Sequence, residues 1–338
     1  MRSETRKFGL LTPTSVSDAV SLLTKYGGQA KVMAGGTDLL YQVKENITAL
    51  APKYVVDITG LGLNAISFDS SNGLTVGATA SVSSVLANSA VQSNYGALYG
   101  AVGGHALQIA NQATIGGDLC QEVWCWYLRN NFDCWRNGGT VCYAAEGGDN
   151  RYYHSLYGGN LCYAVHAGDV ATALFALDAD VTIQGPGGSR TASMDQFMPG
   201  ISIVDGRIKE NSLRYNEILT QVHIPAPASN SASAFFKASD RNAIDFHMAS
   251  CAVNVTFNGT SVSSARVVLG GVAGKPMRAT AAESYLSGQQ LTEAVIAEAA
   301  TKALSGATPL TTGTGNAFRV YIAQGVVKKA LRSLPNSS

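Results

Sequence analysis

Between Cys120 and Cys162 the chain loses the periodic signals that it carries on both sides, and five of its six cysteines fall there. A cysteine-dense stretch normally staples a chain too small to bury a core. This chain has 338 residues, 46% of them hydrophobic, which is enough for two or three domains with full cores. The start, from Met1 to Lys7, is positively charged but has no apolar stretch behind it, so no signal peptide is expected. Clustered cysteine in such a chain points to metal or redox chemistry rather than to disulfides. The spacings are Cys125-x8-Cys134-x7-Cys142-x19-Cys162, with Cys120 five residues ahead of the first. Paired zinc knuckles would need two short C-x2–4-C units, and only Cys120-x4-Cys125 qualifies. A ferredoxin-type C-x2-C-x2-C run is absent. Four thiolates on a long irregular loop can still wrap a cluster. Trp124, Trp126 and Trp135, all the tryptophans of the chain, lie in the same stretch with Tyr127 and Phe132.

On either side of this break the grammar is regular. A helix begins at Ser15 and is closed by Gly27-Gly28. Strands are expected over 30–34 and 54–58, giving a small βαβ-like unit over 1–60. A hairpin around 70–73 and helices near 83–88 and 97–106 follow, and after the cysteines come a helix at 170–177 and a strand at 180–184. This makes a second subdomain over 61–220 with an insertion at 120–165. A proline-rich boundary near 225–230 leads to a third unit, 225–335. There a hairpin over 246–257 and 261–269 turns at Asn258-Gly259 and precedes helices at 281–286, 291–304 and 317–332. The fold class expected is α+β, a two-part ligand-binding domain followed by an antiparallel sheet with helices.

Charge excludes one class of partner. With 24 basic and 23 acidic residues the net charge is +1, which is not a nucleic-acid footprint. Charged residues are only 14%, against a usual ~25%, so much of the surface is neutral or covered. No run of about 18 apolar residues exists to span a membrane. The five histidines form no H-x-x-x-H or H-E-x-x-H pattern.

Glycine points to a ligand. Val32, Met33, Ala34, Gly35, Gly36, Thr37, Asp38 and Leu39 read as a strand, a glycine pair and a helix start. Such a turn lets backbone N–H groups crowd a diphosphate without Cβ interference, with the helix dipole in support. A second pair stands in Ala113, Thr114, Ile115, Gly116 and Gly117. Neither is a Rossmann or a Walker loop, and each alone also suits an ordinary turn. Taken alone, Asp169 reads as a helix N-cap and Lys237 as a surface lysine.

These two turns resemble the FAD pyrophosphate motifs of the medium, flavin-binding subunits of the xanthine dehydrogenase, or molybdenum hydroxylase, family, which includes carbon monoxide dehydrogenase and bacterial aldehyde oxidoreductases. The likeness covers nearly the whole chain. It implies that Asp169 reaches the flavin ribityl region, that Leu219 is an apolar flavin neighbour and that Lys237 lies near the isoalloxazine ring. Asp118 departs from the family, which more often has asparagine there, so its carboxylate is not expected to touch phosphate. The stretch from Gln121 to His166 is similar to an insertion of periplasmic aldehyde oxidoreductases and 4-hydroxybenzoyl-CoA reductases, whose flavin subunits hold a 4Fe–4S cluster. That likeness puts Cys125, Cys134, Cys142 and Cys162 on the ligand positions and leaves Cys120 and Cys251 as small buried residues.

The function implied is an electron-transfer subunit carrying FAD and one 4Fe–4S cluster. It would relay electrons between partner centres and an external acceptor or donor. Molybdopterin and a 2Fe–2S cluster would sit on a large and a small partner subunit, where the organic substrate reacts. The compartment implied is cytoplasmic, or periplasmic by export with a signal-bearing partner. Two other readings stand beside it: a stand-alone FAD oxidase, and a zinc-loop structural subunit.

Overall fold

The structure is a computed structural model and describes residues 7–241 and 245–335. The charged start up to Arg6 lies outside the described residues.

A parallel three-stranded sheet opens the chain, in the order Gly9–Leu11, Tyr54–Asp57, Ala30–Met33. The helix Val16–Tyr26 crosses between strands. Ser15 Oγ accepts the Asp18 N–H at its start, and its C-cap is Gly27. Ala19, Val20 and Leu23 form its buried stripe, packed on Val56 and Ile58 and on Ile218 from the next sheet. That contact docks the first unit on the second and leaves a cleft beside it.

The second sheet is antiparallel, ordered Ile66–Asp69, Gly73–Gly77, Ile218–Ile224, Asp180–Gly185, Gly188–Ser193. Its central strand Ile218–Ile224 arrives from far along the chain, which local patterning does not announce. The helix Asp169–Ala176 is buried at every residue. It touches both the helix Gly96–Gly103 and the third sheet, so no polar face is needed.

The third sheet runs Ser231–Ala238, Ala249–Asn258, Ser261–Gly270, Met277–Arg278, all antiparallel. Helices Thr280–Leu286 and Phe318–Arg332 pack against it, and Glu293–Ala303 packs on those two helices. The hairpin expected over 246–257 begins three residues later, at Ala249. Phe246 turns into the cleft and His247 bonds a buried carboxylate instead of pairing in the sheet. No helix among the described residues is long and apolar enough to cross a membrane.

Candidate functional site

A cleft of about 830 Å³ runs between the first unit and the second. All eight residues from Val32 to Leu39 line it, as do Ala113, Thr114, Gly116 and Gly117. The two glycine turns stand back to back. A Cβ on Gly35 would lie 1.7 Å from the Gln112 carbonyl oxygen, so only glycine permits this approach. Gly36 takes φ +73, which a β-branched residue resists.

The turns are not equivalent. Among the described residues, none of the amide N–H groups from 35 to 39 donates a hydrogen bond, and Leu40 is the first to do so, to Gly36 O. In the second turn the amides are consumed by the fold. Ile115 N–H donates to Ala80 O, Gly116 N–H to Ala78 O, Gly117 N–H to Thr114 Oγ1 and Asp118 N–H to Thr114 O. Free donors for an anion therefore lie on the first turn, at the start of the helix Leu39–Lys44, and the second turn supplies a close wall. Ile115 does not line the cleft; its side chain is buried in the core of the second unit.

Asp169, Leu219 and Lys237 also line the cleft. Asp169 is not a helix cap, and Lys237 is not a surface lysine. Lys237 Nζ donates to Asp169 Oδ2 at 2.8 Å and to the carbonyls of Gly104 and Asp245. His247 Nδ1 lies 2.5 Å from Asp169 Oδ1. Burial alone would raise the Asp169 carboxyl, but His247, Lys237 and His105 outweigh it and hold it below the usual range. Nearby, His105 Nε2 stands 3.5 Å from Asp118 Oδ1. Burial opposes charge on His105, yet Asp118 and Asp169 together raise its pKa. Asp118 thus faces histidine while also lining the cleft.

Cys125, Cys134, Cys142 and Cys162, expected as one ligand set, line a single second cavity with Tyr127, Trp135 and Tyr143. Two donors already aim at sulfur there: Arg136 Nε to Cys162 Sγ at 3.2 Å and Ala164 N–H to the same atom at 3.4 Å. His154 Nε2 lies 3.3 Å from Cys125 Sγ. Among the described residues no three His, Cys, Asp or Glu side chains are grouped as for a single metal ion. Cys251 is fully buried in the core of the third sheet. Cys120 differs from expectation: it is partly exposed and lines the first cleft, because it ends the helix Ile115–Cys120.

Trp124 joins the two regions. Although it precedes Cys125, its ring lines the cleft, 4.7 Å from Phe246 and 5.2 Å from Tyr41 between centroids. Arg129 covers it at 4.0 Å and donates to Asp38 Oδ1 at 2.7 Å and to the carbonyls of Val123 and Glu122. Asp38 also accepts from Glu122 N–H and Gln42 Nε2. Its carboxylate is therefore committed to the seam with the cysteine segment, not to a ligand phosphate. Sequence reading missed Arg129, Lys31, Glu122 and His247. Nothing in local spacing marks them, because each acts through a partner far away in the chain.

Comparison with known proteins fits this geometry. Residues 6–124 and 152–227 match the family described as the FAD binding domain in molybdopterin dehydrogenase, and 234–334 match the CO dehydrogenase flavoprotein C-terminal domain. The first match breaks off across Cys125, Cys134 and Cys142. The aldehyde oxidoreductase FAD-binding subunit of Escherichia coli (strain K12) is 34% identical over 76% of this chain and 79% of its own. The carbon monoxide dehydrogenase medium chain of Hydrogenophaga pseudoflava is 27% identical over 97% and 96%. A solved carbon monoxide dehydrogenase structure from that organism superposes with a TM-score of 0.76 at 26% identity, covering 98% of each chain. With more than half of the sequence matched and the fold shared end to end, the chain belongs to the FAD-binding subunits of the molybdenum hydroxylase family of oxidoreductases.

Proposed function

We propose that this chain holds FAD in the cleft and a 4Fe–4S cluster on Cys125, Cys134, Cys142 and Cys162. In this reading it relays electrons between a 2Fe–2S subunit, itself served by a molybdopterin subunit, and an external acceptor or donor. The observation that carries the cluster is the convergence of those four cysteines, and neither of the other two, on one aromatic-lined cavity. The donor chemistry fits. Burial, with Cys162 and Cys134 adding to it, pushes the Cys125 thiol up to about 12, so a thiolate there needs a nearby cation. Iron supplies that charge, and the N–H groups of Arg136 and Ala164 suit a sulfur that carries negative charge.

The flavin exchanges electrons singly with clusters and in pairs with an acceptor. The chain's own contribution is position. The free amides of 35–39 take the diphosphate, the wall at Gly116 and Gly117 limits its path, and Asp169, Leu219 and Lys237 border the ring and ribityl end. The insertion at 120–165 is the cluster-binding part, set within a flavin domain whose second half resumes after it. Relatives named for carbon monoxide, xanthine and aldehyde dehydrogenation support a place in such a complex. Either a cytoplasmic location or export with a signal-bearing partner agrees with this role.

The test is to isolate the chain with whatever co-purifies and measure flavin, iron, zinc and the visible spectrum. Flavin bands over a broad iron–sulfur shoulder, with two further subunits, are expected. Zinc without colour would replace the cluster by a structural loop. Turnover of an organic substrate by the lone chain would make it a self-sufficient oxidase.

A further inference from the structure

Arg136, in the short turn Trp135–Asn137, has a side chain only 4% exposed and all three of its nitrogens committed. Nε donates to Cys162 Sγ, Nη1 to the Ile208 carbonyl at 3.0 Å, and Nη2 pairs with Glu210. Glu122 lies 3.9 Å from Nη1 and accepts Lys31 at 3.1 Å. Lys31 and Glu122 both line the flavin cleft, so a line of paired charges runs from the cleft to a cysteine sulfur. Burial alone would raise the Glu122 carboxyl, yet Lys31, Arg136 and Arg207 hold it at about 2, so it stays an anion between the two cations.

We propose that Arg136 is a positioning residue that sets the reduction potential of the centre held by the four cysteines, with Glu210 and Glu122 trimming its charge. This rests on the cluster reading above. One electron added to a four-thiolate centre raises the negative charge on Cys162 Sγ, and no proton or bond need move. A guanidinium N–H held at that sulfur stabilises the reduced state more than the oxidised one. Its other anchors are backbone and carboxylate, so the N–H does not have to reorient when the electron arrives. A positive charge fixed in a buried site acts at higher strength than one in water.

The test is a potentiometric titration, followed by electron paramagnetic resonance, of the intact complex carrying Arg136→Gln, Arg136→Lys or Glu210→Gln, each with iron and flavin counted. Arg136→Gln should favour the oxidised centre at least about tenfold at a fixed potential, which is 59 mV for a one-electron couple. Arg136→Lys should shift it the same way but less. Glu210→Gln, which removes a negative charge, should shift it oppositely. Unchanged potentials in iron-replete variants, shifts of one sign in the Arg136 and Glu210 variants, or loss of the cluster in all three would reduce Arg136 to a structural anchor and overturn the proposal. Absence of iron from the unmutated protein would instead overturn the cluster reading itself.

Discussion

The flavin cleft and the cysteine cavity share a wall, but they are ordered by different means. The cleft is cut between sheets and helices whose backbone bonds form without a ligand. The segment from 121 to 168 holds only the four-residue helix Trp126–Arg129 and the turn Trp135–Asn137. Its order comes from scattered turn bonds, two isolated bridges (Cys134 with Val141, His154 with Ala164) and side chains that reach carbonyls. Asn150 Nδ2 binds Ala144 O and Thr312 O, and the buried Arg319 donates to His154 O and Gly271 O. A cleft of the first kind can stand empty. On the reading proposed above, a cavity of the second kind, lined by thiols, would be completed by its cluster.

The largest expected effect follows directly. Stripping iron from the purified complex should open the segment 120–165 to protease, with cleavage there rising many-fold while flavin stays bound. Equal protease resistance before and after would show that the segment's own bonds suffice, and the contrast between the regions would be lost. Next comes the wall between the two glycine turns. Gly35→Val places carbon into the Gln112 carbonyl at 1.7 Å, so the turns must part. Flavin content should drop about tenfold or more as the diphosphate site opens, an overpacking cost of roughly 1–3 kcal/mol or above, while iron is retained. Retention of flavin in that variant would place the diphosphate elsewhere.

The seam itself gives a smaller effect. Arg129→Met leaves Asp38 facing a buried gap, and breaking a buried pair costs about 3–5 kcal/mol, discounted here because Asp38 is partly exposed. Both cofactors should loosen together, by calorimetry and by cofactor release. Loss of one without the other would mean that the two regions are not coupled through Asp38.

A gentler probe is pH. Burial, reinforced by His247 and opposed by Asp118, lowers the His166 pKa to about 4, from an ordinary 6.5. The unfolded chain therefore binds a proton that the folded chain refuses. Stability is full above pH 6.5 and falls as pH drops towards 4, with a limit on the order of 3 kcal/mol for this one group. His166→Gln should flatten the fall in melting temperature across that window. An unchanged acid slope would show that His166 is not its source.

How much of this was readable beforehand follows the same division. The helix from Ser15, the strand at Ala30–Met33 and the final helix stand where capping and periodicity put them, because those signals are local. The glycine pairs announced a ligand turn, yet only the fold shows that the second pair has spent its amides on Ala78 O and Thr114 Oγ1. The long-range strand Ile218–Ile224 and the hairpin of Ser202–Val204 with Arg207–Lys209 carry no comparable signature. Cys120 and Cys125 look alike as sequence, and only a helix end separates one into the cleft from the other into the cysteine cavity. The ion pairs of Arg129 and Arg136 join residues tens of positions apart, which no spacing rule encodes.

That separation of cysteines is also where the account is most exposed. Six single Cys→Ser variants of the intact complex, assayed for iron, sulfide and the paramagnetic signal of the reduced protein, address it directly, since serine oxygen does not match the softness of a thiolate ligand. Cys125, Cys134, Cys142 and Cys162 should each lose the 4Fe–4S signal, while Cys120 and Cys251 should keep it, with flavin present in all six. A signal that survives Cys125→Ser and vanishes with Cys120→Ser, or an unmutated protein that holds zinc and no iron, would contradict the account.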